Sequence, residues 1–350
     1  MTRRWLLLEP IPTLPGGSCR CAPHQSSPRR TIAVVGSGLV GAPLRATRQR
    51  VLGWVLVASC WLLAAAPLSA EEIGVLILAH GGSARWNHAV EATVAEAKLR
   101  YPTEIAFGMG MHAREVRAMQ QAVARLERKR VSRLIVVPLL VSSASEVMRQ
   151  FQYLFRLREH GSWEEGITPL ELRVPVVMTA PLDDDPMVTD VLLERAREIS
   201  TVPSQEAVLL VAHGPVSDED DRQWLEVMQR IAARLEKVGN FRTVLPVTMR
   251  DDAPDSVLEA AVAHLRDLVS AHSRQGPVLV VPLLIANGGI EQKIPQRLSG
   301  LTYTFQEQTL LPHPSVSRWI AARVLQATGP GTVRAGVTQD QSGIGHVNLK

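Results

Sequence analysis

The chain has 350 residues, 46% of them hydrophobic, which is enough for two domains that each bury a core. Its formal net charge of +4 comes from the first 70 residues, which hold eight arginines and one glutamate. Residues 71–350 carry 30 basic and 33 acidic side chains, so their slight excess of acid argues against nucleic acid as a partner.

The first 70 residues have the layout of a leader with a secretory signal. Arg45, Arg48 and Arg50 precede an uncharged apolar run over 51–66, and small residues follow up to Ala70. We expect cleavage after Ala70 and export to the periplasm. Because the apolar run approaches the roughly 20 residues that cross a bilayer, its retention as a membrane anchor is the alternative, and only then would the membrane be a partner.

The three cysteines, Cys19, Cys21 and Cys60, all lie in this leader. A chain cleaved after Ala70 would therefore have neither disulfides nor thiolate ligands, and His, carboxylate or Met would have to bind any metal. Lipid attachment at Cys60 is a further alternative for the leader.

A glycine-rich segment at 36–41 follows the strand-like residues 31–35 and matches the GxGxxG dinucleotide fingerprint. That fingerprint also requires a helix, a second strand and an acidic residue about 20 positions later. Arginines and the apolar core of the signal follow instead, so we predict no nucleotide cofactor.

Beyond residue 70, strand-like and helix-like segments alternate, and the same order occurs twice. The run 73–81 and the run 207–214 are both predicted strands that end in Ala-His-Gly. The next predicted elements are helices over 86–99 and 220–238, strands over 104–108 and 243–247, and helices over 113–129 and 254–270.

The third strands repeat almost letter for letter, over 134–141 and 278–285, and each half closes with a proline-marked turn and a helix, over 188–199 and 315–327. This order predicts an α/β fold of two similar lobes, each with a mainly parallel sheet flanked by helices, facing one another across a cleft. The predicted divisions are a leader over 1–70, an N-terminal lobe over 71–202, a C-terminal lobe over 203–328 and a flexible tail over 329–350.

His80 and His213 end the first strand of each half, where open parallel sheets bind ligands. A histidine at such a place can also be a core residue that bonds to the backbone, but two in the same Ala-His-Gly setting favour a functional role. His112, beyond the second strand, is a secondary candidate for passing metal inward. The alternative for His112 is packing in a methionine-rich turn.

Carboxylates follow the third strands. Glu146 lies eight residues after Pro138, and Glu291 lies nine residues after Pro282. Imidazole and carboxylate suit a borderline divalent ion, and both groups also accept protons. The alternative for Glu146 is a solvated loop residue or an acid at the N-terminus of a helix.

The His-Gly strand, the Val-Pro-Leu-Leu strand with its following loop, and the duplication resemble the class II chelatases, the sirohydrochlorin cobaltochelatase and ferrochelatase family. The resemblance covers roughly residues 73–325. It implies that His80 is a metal ligand and proton acceptor. Where the family commonly has a second histidine, this chain has Glu146, and the related protohaem ferrochelatases similarly pair a histidine with a glutamate. At the equivalent place of the second half stands Ile290, so we expect that lobe to lack a complete site.

The remaining site residues are predicted from their positions near these strand ends, and the alternative for each carboxylate-binding residue is an ordinary surface residue. The metal site is expected to comprise His80 and Glu146, with His213 and His112 as secondary candidates. The carboxylate groups of the tetrapyrrole are expected to be held by Ser83, Arg85, Ser142, Ser143 and Arg149.

The sequence therefore predicts a tetrapyrrole metal chelatase, a lyase that inserts cobalt, iron or nickel into a sirohydrochlorin-like macrocycle. The divalent metal is a substrate, and a homodimer is one possible assembly. The first alternative is an exported metal- or tetrapyrrole-binding protein without catalysis. The second is a hydrolase with His80 as base, although no serine or cysteine nucleophile motif accompanies that histidine.

Overall fold

The computed structural model describes residues 72–162 and 166–329. The leader over 1–70, with its cysteines and glycine-rich segment, lies outside the described residues. So does the predicted tail, apart from Gly329. In the described part, no helix is both long and apolar enough to cross a membrane.

Two four-stranded parallel sheets form the framework, which confirms the predicted fold class. Each sheet places its first strand between the second and third and has its last strand at the edge. The first sheet has the order β2-β1-β3-β4 and consists of β1 (Ile73–Ala79), β2 (Thr103–Phe107), β3 (Arg133–Leu139) and β4 (Val176–Met178). The second has the order β6-β5-β7-β8 and consists of β5 (Ala207–Ala212), β6 (Thr243–Thr248), β7 (Val278–Leu283) and β8 (Thr304–Phe305).

The helices follow the strands in the same order in both lobes. The first lobe contains α1 (Ala84–Glu96), α2 (Ala113–Arg128), α3 (Glu146–Leu154) and α4 (Pro186–Ile199). A 3₁₀ turn at Pro203–Gln205 leads into the second lobe, which contains α5 (Asp218–Gly239), α6 (Asp255–Ser273), α7 (Ile290–Arg297) and α8 (Pro314–Ala327).

Alternate residues of each central strand enter different cores, because side chains of a strand point to opposite faces. On β1, Val75 and Ile77 face a core shared by both lobes, whereas Leu76 and Leu78 face a core of the first lobe alone. The strand β5 divides in the same way. Helices α1, α4, α5 and α8 contribute to the shared core, so they form a layer between the two sheets. The lobes therefore meet over one continuous apolar layer.

Helices α3 and α7 occupy segments that we interpreted as loops, and the edge strands β4 and β8 were not predicted. All four elements are short, and periodicity is difficult to recognise in segments of two to nine residues. The difference matters for function, because α3 begins at Glu146 and α7 carries Glu291.

Candidate functional site

The His80 ring is exposed directly beyond the carboxyl end of β1. Gly81 follows with a φ of +81°, a left-handed conformation that glycine adopts without steric cost. The Nδ1–H of His80 donates a 2.7 Å hydrogen bond to the Gly81 carbonyl oxygen, which can only accept. The neutral ring therefore carries its proton on Nδ1, and the lone pair on Nε2 can bind a metal ion or accept a proton.

His213 has the same local geometry in the second lobe. Its Nδ1–H donates to the Gly214 carbonyl oxygen at 2.8 Å, and Gly214 has a φ of +77°. The two rings differ at Nε2, because that atom of His213 lies 3.4 Å from the Asp252 carboxylate. In the part of the chain that the structure describes, no hydrogen bond or ion pair involves Nε2 of His80. The first-lobe imidazole is therefore the available one.

Trp86 connects the His80 loop with the second lobe. Its ring centroid lies 6.5 Å from that of His80 and 6.4 Å from that of Phe107. Gly288, in the loop after β7, packs so closely against the indole that a Cβ there would lie 2.9 Å from Cδ1 of Trp86. The carboxyl ends of the two sheets thus approach each other at Trp86.

The loop between β2 and α2 leaves His112 exposed. The Glu115 carboxylate accepts hydrogen bonds from the backbone N–H groups of Met109, Gly110 and Met111 at 3.0, 3.0 and 3.3 Å, and it thereby fixes the loop. His112 occupies the N-cap position of α2 but makes no side-chain capping bond. Its imidazole is consequently not used in forming the helix end.

Glu146 is the first residue of α3, and Ser145 caps that helix by accepting from the Met148 N–H at 3.1 Å. The structure therefore agrees with the alternative interpretation of Glu146 as an acid at a helix N-terminus, where the helix dipole favours negative charge. Within the described ranges, no hydrogen bond or ion pair joins Glu146 to His80. No group of three or more His, Cys, Asp and Glu side chains there has the arrangement of a metal site.

The predicted carboxylate-binding residues lie in several environments. Ser83 caps α1 by accepting from the Trp86 N–H. Ser142 is buried, and its hydroxyl accepts from the Ala144 N–H. Ser143 is exposed, and its backbone N–H donates to Asp183. The three serines were predicted from position alone. Local bonds account for the contacts of Ser83 and Ser142, whereas Ser143 bonds to a side chain 40 residues away.

Arg149 forms a bidentate ion pair with Asp220 of the second lobe, with N–O distances of 2.8 and 2.7 Å. The Asp220 hydrogen bond raises the pKa of the Arg149 guanidinium above its usual value, and the nearby Glu146 adds to this effect. The side chain of Asp220 is 5% exposed. Arg149 thus holds the lobes together, a role that the sequence could not disclose because its partner is 71 residues away.

A cavity of about 940 Å³ lies at the boundary of the lobes, between α1 and α7. This volume is near the upper end of the roughly 300–1,000 Å³ usual for small-molecule sites. Of the predicted site residues, Arg85 lines the cavity, whereas His80 and Glu146 do not. Its lining comprises Arg85, Ala89, Asn287, Glu291, Gln292, Pro295, Gln296, Ser299, Phe305, Glu307, Gln308, Leu311 and Pro312.

Sequence reasoning missed the site residues that act between lobes. Trp86 and Trp224 both belong to the first helix of their lobe, and each contacts the loop after the third strand of the other lobe. The sequence signal that could have indicated these contacts is a tryptophan within the first two turns of both duplicated helices. Glu291 was noted by its distance from Pro282, but its place in the cavity wall was not predicted.

Comparisons with known proteins agree with this architecture. Residues 74–199 match the CbiX family model, which is a class II chelatase family. SirB from Bacillus subtilis, whose structure was solved with Fe³⁺, has 18% sequence identity and a TM-score of 0.52 over 73% of this chain and 95% of its own. At this identity the likeness concerns the fold.

A second structure, DR2241 from Deinococcus radiodurans, is described as a multi-domain protein with structural similarity to chelatases. It has 18% identity and a TM-score of 0.43, over 72% of this chain and 54% of its own. No curated protein in the comparison matches the sequence. The match of residues 74–199 confirms the resemblance to the class II chelatases.

Proposed function

We propose that this chain, whose first lobe resembles class II chelatases, inserts a divalent metal ion into a tetrapyrrole. One observation carries the proposal: His80 presents Nε2 as its unprotonated nitrogen in the lobe that matches the CbiX family. A chelatase needs such an atom, because it must hold the incoming ion and accept protons lost from the pyrrole nitrogens.

The macrocycle is assigned to the cavity at the lobe boundary. Arg85 lies on α1 five residues after His80, so the same helix that begins next to the histidine also forms part of the cavity wall. Arg85 has a guanidinium suited to an acidic substituent of the ring. In this arrangement α1 connects His80, the proposed metal ligand, with the cavity proposed to bind the macrocycle.

Glu146 is the proposed second group for the metal or its protons. It is half-buried at the first position of α3, the helix that follows β3, and β3 lies next to the strand β1 that precedes His80. Sirohydrochlorin is the proposed macrocycle type, and Co²⁺, Fe²⁺ and Ni²⁺ are the proposed ions. Export to the periplasm is part of the proposal and relies on the pattern of residues 1–70 alone.

The test is an absorbance assay of the purified chain with sirohydrochlorin and each of the three ions. Metal insertion changes the absorption spectrum of the macrocycle, so catalysed insertion should appear as a rate above that of the uncatalysed reaction. Binding of metal or macrocycle without a faster spectral change would contradict catalysis and would favour the non-catalytic binding protein.

A further inference from the structure

The first two turns of α2 carry two arginines without partners. Arg114 and Arg117 are exposed, and within the described ranges neither side chain makes a hydrogen bond or an ion pair. They are three residues apart, so they lie on the same face of the helix. Because the side chains of a helix lean toward its N-terminus, both guanidinium groups are directed toward the end at which α2 begins.

The start of α2 lies beside the His80 loop. The N–H of Gly108 donates to the Ala79 carbonyl oxygen at 3.0 Å, and a Cβ on Gly108 would lie 2.8 Å from Cβ of Glu115 in the first turn of α2. Gly81, directly after His80, is also close, since a Cβ there would lie 3.4 Å from the backbone nitrogen of Gly108. The two arginines therefore lie at the same end of the sheet as the available imidazole.

Helices α1 and α2 pack on opposite faces of the first sheet. Helix α1 contributes Trp86 and Val90 to the core shared by the lobes, whereas α2 contributes Met119 and Val123 to the core of the first lobe alone. His80 follows the strand β1, which has one face in each core. A macrocycle centred above His80 therefore has one edge on the α1 side, where the cavity lies, and the other edge on the α2 side.

The cavity at the lobe boundary can neutralise few carboxylates. Among the described lining residues, Arg85 is the single cation, whereas Glu291 and Glu307 are acids. A sirohydrochlorin-type macrocycle has acetate and propionate groups around its whole edge, so the carboxylates that Arg85 does not meet need other partners. Repulsion by the two acids disfavours the second-lobe side. This charge distribution favours a macrocycle whose remaining carboxylates extend toward α2.

The arginines are also placed where a helix disfavours cations. The N-terminus of a helix is the positive end of its dipole, so Arg114 in the first turn of α2 does not stabilise the helix. The corresponding helix of the second lobe, α6, instead has exposed acids in its first two turns, Asp255 and Glu259. The cationic start belongs to the lobe in which Nε2 of His80 is available, which points to a ligand rather than to folding.

We propose that Arg114 and Arg117 form a carboxylate-binding subsite for the edge of the macrocycle that projects beyond the cavity, opposite the edge that meets Arg85. The substrate class is then a tetrapyrrole with carboxylates on both edges, and porphyrins with acids on one edge alone are bound less well. This inference rests on the proposed function, because it takes the macrocycle to lie between the cavity and His80.

The experiment measures binding of metal-free uroporphyrin, which has acetate and propionate groups on every pyrrole ring, by fluorescence titration of the full chain. The double substitution Arg114→Gln and Arg117→Gln should weaken this binding about tenfold or more, because charge-assisted contacts are lost. Binding of deuteroporphyrin, whose propionates lie on one edge, should change little. The matched control, Arg128→Gln with Arg130→Gln, removes the same charge from exposed arginines near the other end of α2 and should leave uroporphyrin binding unchanged.

Equal losses of uroporphyrin binding in the double variant and its control would show that net charge, rather than a subsite, attracts the macrocycle, and would overturn the inference. Undiminished binding by the double variant, or no binding by the unaltered chain, would overturn it as well. Urea unfolding of the double variant should give a midpoint equal to or above that of the unaltered chain, since neither arginine has a partner. A lower midpoint would assign the two arginines to stability instead.

Because no metal is present in the titration, its result is separate from insertion. Catalysed insertion by the double variant with an unchanged KM for sirohydrochlorin would overturn this inference alone. A selective loss of uroporphyrin binding, in a chain that inserts metal into no tetrapyrrole, would overturn the proposed function alone.

Discussion

The indole N–H of Trp224 donates a 2.5 Å hydrogen bond to the carbonyl oxygen of Ala144, and this bond joins α5 of the second lobe to the loop after β3 of the first. The reciprocal contact is made by Trp86 of α1, which packs against Gly288. Ala144 and Gly288 each lie six residues after the proline of the third strand, at Pro138 and Pro282. The duplication is thus visible in the contacts between the lobes as well as in the sequence.

The two tryptophan contacts between the lobes nevertheless differ in what lies beside them. Next to Trp224, the ion pair of Arg149 with Asp220 fills the space between the lobes. Next to Trp86, the large cavity remains open between α1 and α7. One repeat of the contact therefore stabilises the pairing of the lobes, and the other leaves space for a ligand.

Substitution of His80 by alanine should lower metal insertion by at least about 100-fold, because it removes the available Nε2. The absorbance assay measures the rate, and circular dichroism checks the fold. His88→Ala is the matched control, since that side chain is 83% exposed on α1. Unchanged turnover of the His80 variant would remove the central residue of the proposed mechanism.

Substitution of Glu146 by glutamine should lower insertion about tenfold or more and raise the KM for the metal ion, because the amide is a poorer ligand and proton acceptor. Steady-state rates at varied metal concentration provide the measurement. Glu91→Gln, 54% exposed on α1, controls for the loss of an acid. A KM equal to that of the unaltered chain would exclude Glu146 from metal binding.

Removal of the Arg149 guanidinium should destabilise the protein by about 2 kcal/mol, because Asp220 is left buried without its partner. Urea unfolding of Arg149→Ala measures this loss, and adding Asp220→Ala should recover part of it. The control is Arg222→Ala on α5, the helix that also carries Asp220. Arg222 forms an exposed ion pair with Glu219, so its loss should cost no more than about 0.5 kcal/mol. A raised KM for tetrapyrrole without loss of stability would instead assign Arg149 to the ligand.

Replacement of Trp224 by phenylalanine should cost about 1–3 kcal/mol more than the same change at Trp319, as measured by urea unfolding. Both side chains are buried, but only Trp224 donates a hydrogen bond, and its loss leaves the Ala144 carbonyl oxygen unsatisfied. Within the described residues, the indole N–H of Trp319 has no hydrogen-bond acceptor. Equal costs for the two variants would show that the bond to Ala144 contributes no net stability.

The pH dependence of stability should include a contribution from Glu206, which precedes β5. Burial alone would raise the pKa of Glu206, but hydrogen bonds from Ser200, Thr201 and Val202 outweigh it and lower the pKa below its usual value of 4.5. Its stabilising contribution is therefore complete above pH 4.5 and is lost as the pH falls through the lowered pKa.

The substitution Glu206→Gln tests this contribution by urea unfolding at several pH values. It should cost about 1–3 kcal/mol at pH 7, and the difference from the unaltered chain should shrink below pH 4. Glu259→Gln, an exposed acid on α6, should show no such trend. A cost for Glu206→Gln that is independent of pH would contradict the ionic origin of the effect.

The sequence by itself determined the α/β class, the duplication and the strands that end in His80 and His213, because these features depend on local periodicity and on repeated motifs. The long helices were predicted to within a few residues of their observed bounds, as at α2, predicted over 113–129.

Only the tertiary structure decided which side chains have partners. Arg149 and Arg85 are both arginines near a strand end, yet Arg149 is paired with Asp220 across the lobes and Arg85 lines the cavity. The two histidines differ in the same way, because Nε2 of His213 lies next to Asp252 and Nε2 of His80 has no such neighbour among the described residues. Such pairings depend on how two lobes with separate local patterns pack together, and a one-dimensional pattern carries no information on contacts between residues many positions apart.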